Sequence, residues 1–254
     1  MAKYFRSFDS TKIYYSYHQG KNPLTLIFLH GVGCNWTVWK SEVSYFQKKK
    51  FSVITLDLRG HGESDAPFEF EHYQLPHFSR DLFGLIHKLK IKNFSFVGHS
   101  LGAAIAINYC MLYKKRSPHS LILIEACNTY PFTHDRLMNC NPYLTHFLRF
   151  IAYHHLSRNE HFFHFNDVDL SETGIMGSLN KISHLFHLTP LRSIVKTLDN
   201  IEKYVFKNQS KIDETISKLT IPTLLIAGKE DSLIPIHYSK IIKKLNKKAE
   251  LKIL

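Results

Sequence analysis

The sequence predicts an α/β fold, a mostly parallel sheet flanked by helices. Three observations carry this. From Leu24 onward, apolar runs of strand length alternate with longer helical patterns; Phe94–Gly98 turns into a helix through only His99, Ser100 and Leu101; and the alternation lapses from about Pro131 to Leu198 before it resumes. Regular strand-helix alternation implies right-handed crossovers and hence parallel pairing.

Residues 4 to 18 alternate in polarity and read as two strands joined at Asp9-Ser10-Thr11, a hairpin turn. The apolar run Leu24–Leu29 is a strand that ends in His30-Gly31-Val32-Gly33, and a helix follows from about Trp36 to Lys49. A second buried strand, Phe51–Leu56, runs into Asp57-Leu58-Arg59-Gly60-His61-Gly62-Glu63-Ser64, and the next helix covers about Phe78 to Leu89. Leu121–Glu125 supplies the strand after the Phe94–Gly98 strand and its helix. Between 131 and 198 no β-type run occurs; Phe147–His155, Glu160–Phe165 and Lys181–Leu188 read as short helices of an insertion. Alternation resumes with a strand at Ile221–Gly228, a loop through Asp231 to Pro235, a helix at about Tyr238 to Asn246, and a last strand at Ala249–Leu254. The expected organisation is a discontinuous core, 1–130 with 199–254, and a helical lid, 131–198.

Gly98-His99-Ser100-Leu101-Gly102 carries the chemistry. A strand turns into a helix in so few residues only where the neighbours of the apex are almost free of side chain, and Gly98 and Gly102 meet that need. Ser100 is thereby lifted out at the tip of a strained turn. The helix that follows aims free N–H groups and its positive dipole end at whatever Ser100 attacks, which suits an oxyanion.

The chain has 254 residues, 44% hydrophobic and 13% aromatic, enough for one large domain with a sizeable core. No apolar signal region precedes Leu24 and no run is long enough to span a bilayer, so a cytoplasmic protein is expected. Cys34, Cys110, Cys127 and Cys140 have no metal-ligand spacing and read as reduced thiols. Lys and Arg outnumber acidic residues by 33 to 21. Most of that excess closes helices (Lys48–Lys50, Lys88 to Lys92, Lys114–Arg116, Lys243 to Lys248), where cations complement helix dipoles at the face away from Ser100. A nucleic-acid partner is therefore not expected.

Four landmarks in order, His30-Gly31-Val32-Gly33, Asp57 to Ser64, Gly98-x-Ser100-x-Gly102 and Gly228-x-x-Asp231-x-x-Ile234-Pro235, make the chain resemble the α/β-hydrolase superfamily over essentially its whole length. The resemblance implies an eight-stranded sheet, a lid inserted after the sixth strand, and a serine-acid-histidine triad in that chain order. It implies Ser100 as nucleophile, the backbone N–H groups of Leu101 and Val32 as oxyanion donors, and Asp231 as the acid that orients the histidine. Glu125, ending the preceding strand, is the alternative acid. His99 is expected to be a core histidine, and Asp57, Arg59 and His61 to tie their loop together.

The function expected is hydrolysis of a small-molecule ester or thioester with an apolar acyl or aromatic group, through an acyl-enzyme. Serine in place of aspartate at the elbow counts against the dehalogenase and epoxide hydrolase chemistry found on this fold. No cofactor and no metal are expected; His161 with His164 and His184 with His187 share helix faces, but no further ligand completes either pair. The alternative is a ligand-binding relative with little turnover. The family histidine belongs after the eighth strand, and no residue up to Leu254 occupies that place, so a missing C-terminal piece and a nearly inactive chain are expected. Oligomeric state is left open.

Overall fold

Thr25-Leu26-Ile27-Phe28-Leu29 contains neither a charge nor a turn former, and all five residues are buried in strand β3 (Thr25–Leu29). Burial of each large apolar side chain there contributes roughly 1.5–3 kcal/mol. The structure is a computed structural model that describes residues 2–131 and 189–254. Among the described residues the other strands are β1 (Ala2–Arg6), β2 (Lys12–His18), β4 (Ser52–Leu56), β5 (Phe94–His99), β6 (Leu121–Ile124), β7 (Thr223–Ala227) and β8 (Glu250–Ile253). They form one eight-stranded sheet in the order β1-β2-β4-β3-β5-β6-β7-β8. β1–β2 and β2–β4 are antiparallel, and every later pair is parallel. The hairpin turn falls where expected: Ser10 takes φ 68°, and the Asp9 carboxylate accepts the Thr11 N–H.

The helices are α1 (Lys40–Lys48), α2 (Leu75–Lys88), α3 (Leu101–Leu112), α4 (Leu191–Lys218) and α5 (His237–Leu245). Alternate side chains of β3 and β5 serve opposite faces. Ile27, Leu29, Phe94 and Phe96 join the core under α2, α3 and α4, whereas Leu26, Phe28 and Val97 meet Trp39, Val43 and Phe46 on the α1 side.

Three helices differ from expectation. The single helix expected from Trp36 is a 3-10 turn (Trp36–Trp39) followed by α1, because Asn35 caps the turn through the Thr37 N–H. α2 begins three residues early, at Leu75, with Pro76 in its first turn, where a proline costs no hydrogen bond. α4 is one continuous helix of 28 residues, so the expected lid boundary at 198 falls inside it. Its buried Val195, Leu198, Ile201, Val205, Ile212 and Ile216 recur at helical spacing, the pattern that identifies it in the sequence. The expected helices between 147 and 188 lie outside the described residues, as does Cys140.

Lys48, Lys88, Lys218, Lys243 and Lys244 lie in the last turns of their helices, each just before a parallel strand begins. That puts them at the pole opposite the strand C-termini. Among the described residues no helix is long and apolar enough to cross a membrane.

Candidate active site

The chain leaves β3 for β4 on one side and returns across it to β5 on the other, so the sheet's switch point lies at the C-terminal ends of β3 and β5. Crevices for ligands form there. His30–Gly33 leaves β3 at this point, and Ser100 leaves β5.

Ser100 adopts φ 50°, ψ −109°, outside the regions comfortable for an L-residue, at a cost of about 1–3 kcal/mol. Its N–H donates to the Ile124 carbonyl at 2.9 Å, and its carbonyl accepts from Ala103 and Ala104, so strand and helix both grip it. The glycines are required by contact. A Cβ on Gly98 would lie 2.6 Å from the Gly102 carbonyl carbon, and one on Gly102 would lie 2.2 Å from the Leu29 oxygen. The elbow thus sits directly on β3.

The Gly31 carbonyl accepts from Cys34, and Gly33 takes φ 78°, which curls the loop after β3 toward Ser100. A Cβ on Gly31 would fall 2.8 Å from His99 Nδ1 and 3.5 Å from Ser100 Cβ. His30 is fully buried below the loop. Its Nε2 accepts the Leu58 N–H, so Nδ1 carries the proton and donates to the Gly31 carbonyl at 2.7 Å. Burial holds His30 well below the usual imidazole pKa, and the nearby His61 adds to this.

Val32, Ser100 and Leu101 line one narrow cavity of about 50 Å³. Ala104, Ile107 and Cys127 extend it inward, and Leu198, Ile201 and Val205 of α4 close it. Neither the Val32 N–H nor the Leu101 N–H donates to a described residue. Burial pushes the Cys127 thiol up to about 12, so it is no nucleophile.

The two candidate acids stand together beyond β6 and β7. Asp231 Oδ1 accepts the Leu233 and Ile234 N–H groups at 2.7 and 2.8 Å. Glu125 has φ 49°, and its Oε1 accepts the Gly228 N–H at 2.6 Å. Burial, opposed by that N–H and reinforced by the charge of Asp231, raises the Glu125 pKa. His99 is half-buried against Gly31 and its imidazole makes no hydrogen bond to a described residue, which differs from the satisfied core histidine expected. Burial lowers its pKa, and the Asp231 charge partly offsets this.

Asp57, Arg59 and His61 are bound into their loop. Asp57 accepts the Trp36 and Glu63 N–H groups, and burial nonetheless pushes its pKa up to about 6. Arg59, with a fully buried side chain, binds Asp81 and Asp9. His61 Nδ1 donates to the Arg59 carbonyl at 2.9 Å, and burial takes its pKa down to about 4. No described histidine hydrogen-bonds Ser100, and no described group of His, Cys, Asp or Glu has the arrangement of a metal site.

The alpha/beta hydrolase fold model matches residues 25–254. The chain belongs to the α/β-hydrolase fold family. It is 28% identical over 247 residues to epoxide hydrolase 4 of Mus musculus, covering 87% of this chain and 63% of that protein. It is 25% identical to the AB hydrolase superfamily protein YisY of Bacillus subtilis, over 89% of this chain and 81% of that one. The chain thus spans under two thirds of the mouse relative. An esterase from Exiguobacterium antarcticum shares the fold with a TM-score of 0.74 at 18% identity, covering 100% of this chain and 90% of that chain. An enol-lactonase from Burkholderia xenovorans does so with a TM-score of 0.70 at 16% identity, over 99% and 91%.

The site residues read from the sequence, Ser100, Val32 and Leu101, stand at one cavity of this family's fold, with Asp231 on the loop after β7. The cavity walls from α4, and Asn128 and Tyr130 after β6, are additions from the structure.

Proposed function

We propose that this protein is a serine hydrolase of carboxylic esters or thioesters with apolar acyl or aromatic groups. The observation that carries the reading is Ser100 held at φ 50° between β5 and α3, beside Val32 and Leu101 in an apolar cavity. Ser100 Oγ attacks the carbonyl carbon and gives its proton to a histidine; the carbon–oxygen or carbon–sulfur bond then breaks as that proton passes to the leaving group. Water releases the acid by the reverse route. The Val32 and Leu101 N–H groups meet the oxyanion, and Asp231 orients the imidazole. No cofactor takes part in this reading.

No described histidine hydrogen-bonds Ser100. A cytoplasmic setting is part of the proposal, supported by Cys34, Cys110 and Cys127 being free thiols.

Epoxide opening, suggested by the mouse relative, fits the elbow less well. Attack by a serine oxygen would leave an ether, which water does not cleave under mild conditions, whereas acyl transfer leaves a hydrolysable ester. A ligand-binding role is favoured only by the absence of a described imidazole at Ser100. A fluorophosphonate probe with a panel of p-nitrophenyl esters decides between these. Labelling confined to Ser100 with ester turnover supports the hydrolase, and an unlabelled Ser100 removes it.

A further inference from the structure

Parallel pairing from β3 to β8 sets the starts of six strands at one pole of the sheet. The segments that lead into them are 19–24, 45–51, 86–93, 111–120, 217–222 and 241–249. Backbone bonds join these segments side by side. The Asn22 N–H donates to the Lys50 carbonyl at 2.9 Å, Thr25 to Asn93 at 3.0 Å, and Leu121 to Pro222 at 2.9 Å. They form one continuous surface.

The charge on that surface is of one sign. The six segments hold 14 lysines and Arg116, with no Asp or Glu, and all of these cations except Lys243 and Arg116 are exposed. The rest of the chain has 18 Lys or Arg against 21 Asp or Glu, so the net charge of +12 resides entirely at this end. Of the acids that flank it, Glu214 pairs with Lys218 and Glu250 lies 3.9 Å from Lys252.

Helix dipoles account for little of this. Five helices end at the pole, and their C-termini together present about −2.5 charges, roughly a sixth of what the cations supply. Two lysines also stand against backbone preference. Lys50 and Lys90 follow the C-caps of α1 and α2 at φ 65° and 53°, the left-handed position that glycine occupies without conformational cost. Lysine in both places points to a use for the charge.

The surface suits an anionic bilayer better than a nucleic acid. The planar arginine fork that reads base edges and grips phosphates occurs once in these segments, at half-buried Arg116. Tyr45 is their only exposed Phe, Tyr or Trp, and Lys49 Nζ lies 5.7 Å from its ring centre, so no row of rings awaits stacked bases. Tyr45, Leu112 and Ile241 are exposed apolar groups able to enter a headgroup layer between the lysines.

We propose that this pole is a peripheral docking surface for a bilayer rich in anionic phospholipid. A chain docked by this end turns the strand C-termini, and Ser100 with them, toward water. The inference is independent of the chemistry assigned to Ser100.

The test is sedimentation of the full chain with vesicles of phosphatidylcholine, plain or with about 30% phosphatidylserine, in about 0.1 M salt. Partition into the anionic vesicles should be about 100-fold tighter and should fall at least about tenfold in about 0.5 M salt. The triple variant Lys92→Glu, Lys115→Glu, Lys248→Glu should return to the plain-vesicle level, at about fivefold for each cation removed. The same reversal at Lys12, Lys40 and Lys229, exposed at the other pole, should cost less than about threefold. Should the first triple variant not fold, spin-labelled phosphatidylserine replaces it, broadening the amide signals of Lys92 and Lys115 in the native protein and sparing those of Lys12 and Lys229. Equal binding to both vesicles, equal loss in the two triple variants, or broadening at Lys12 and Lys229 instead overturns the proposal. So does tighter binding, at the same salt, of a short DNA duplex or a single-stranded RNA than of the anionic vesicles.

Discussion

Glu125 Oε1 accepts a 2.6 Å hydrogen bond from the Gly228 N–H, so the carboxylate at the end of β6 fastens the loop that bears Asp231. Glu125 holds this place at a positive φ of 49°. Glu125→Gln keeps an acceptor and should retain kcat/KM within about threefold, whereas Asp231→Asn should lower it about 10³–10⁴-fold by losing the histidine's orienting charge. Steady-state hydrolysis of p-nitrophenyl butyrate by the active protein checks both. An equal loss in the two variants would move the acid's role to Glu125.

Gly31→Ala drives a methyl to 2.8 Å from His99 Nδ1, beside Ser100. Either the His99 ring or the loop bearing Val32 must shift, and a shift of the loop carries the oxyanion donor with it. We expect kcat to fall about 10²-fold with KM little changed, since the interaction is made mainly in the transition state. A rise in KM alone would show that the loop binds substrate and takes no part in the reaction.

Gly102→Ala places a Cβ 2.2 Å from the Leu29 carbonyl oxygen and 2.7 Å from its carbon, which are backbone atoms of the buried strand β3. Neither partner has room to yield. The variant should lose about 3 kcal/mol or more of stability, read from its urea midpoint, well beyond the usual range for a surface glycine.

Arg59→Ala leaves Asp81 buried without its cation, having lost bonds of 2.8 and 2.6 Å. The expected cost is about 3–5 kcal/mol. Arg59→Met with Asp81→Asn should recover much of it, because the uncompensated charge is gone. Urea denaturation of the single and double variants makes the comparison.

Acid should destabilise the protein between pH 6.5 and 4. His61 titrates at about 4 when folded against 6.5 when unfolded, so the unfolded chain binds more protons in that window and stability falls as pH falls. His77, also held at about 4, and His30 act in the same direction. Asp57 opposes them, because its folded pKa of about 6 lies above its unfolded 3.8 and its proton stabilises the folded state at lower pH. Asp81 and Glu125, also raised, side with Asp57, whereas His99, also lowered, and Asp9, held at about 2, side with the three histidines and tip the balance. The melting temperature should drop from pH 6.5 to 4.5, and His61→Gln should flatten that slope. A melting temperature that rises on acidification would show that Asp57 dominates.

The sequence by itself determined the succession of strands, the elbow, and the identity of Ser100 at its tip. Those are local properties: an apolar run of strand length, two glycines around one serine, and a helix that must follow. It also carried the spacing of Val195, Leu198, Ile201 and Val205, although a helix continuing through residue 198 becomes clear only where those side chains close a cavity. Only the tertiary structure decided which groups meet. Arg59 takes Asp9 from the hairpin turn and Asp81 from α2; Glu125 holds Gly228 across two strands; and Asn128 gives its nitrogen to Asp213, far along the chain. Local sequence sets what conformation a residue adopts. A hydrogen-bond partner is chosen by distance and direction within about 3 Å, and those exist only after the sheet has brought remote segments together.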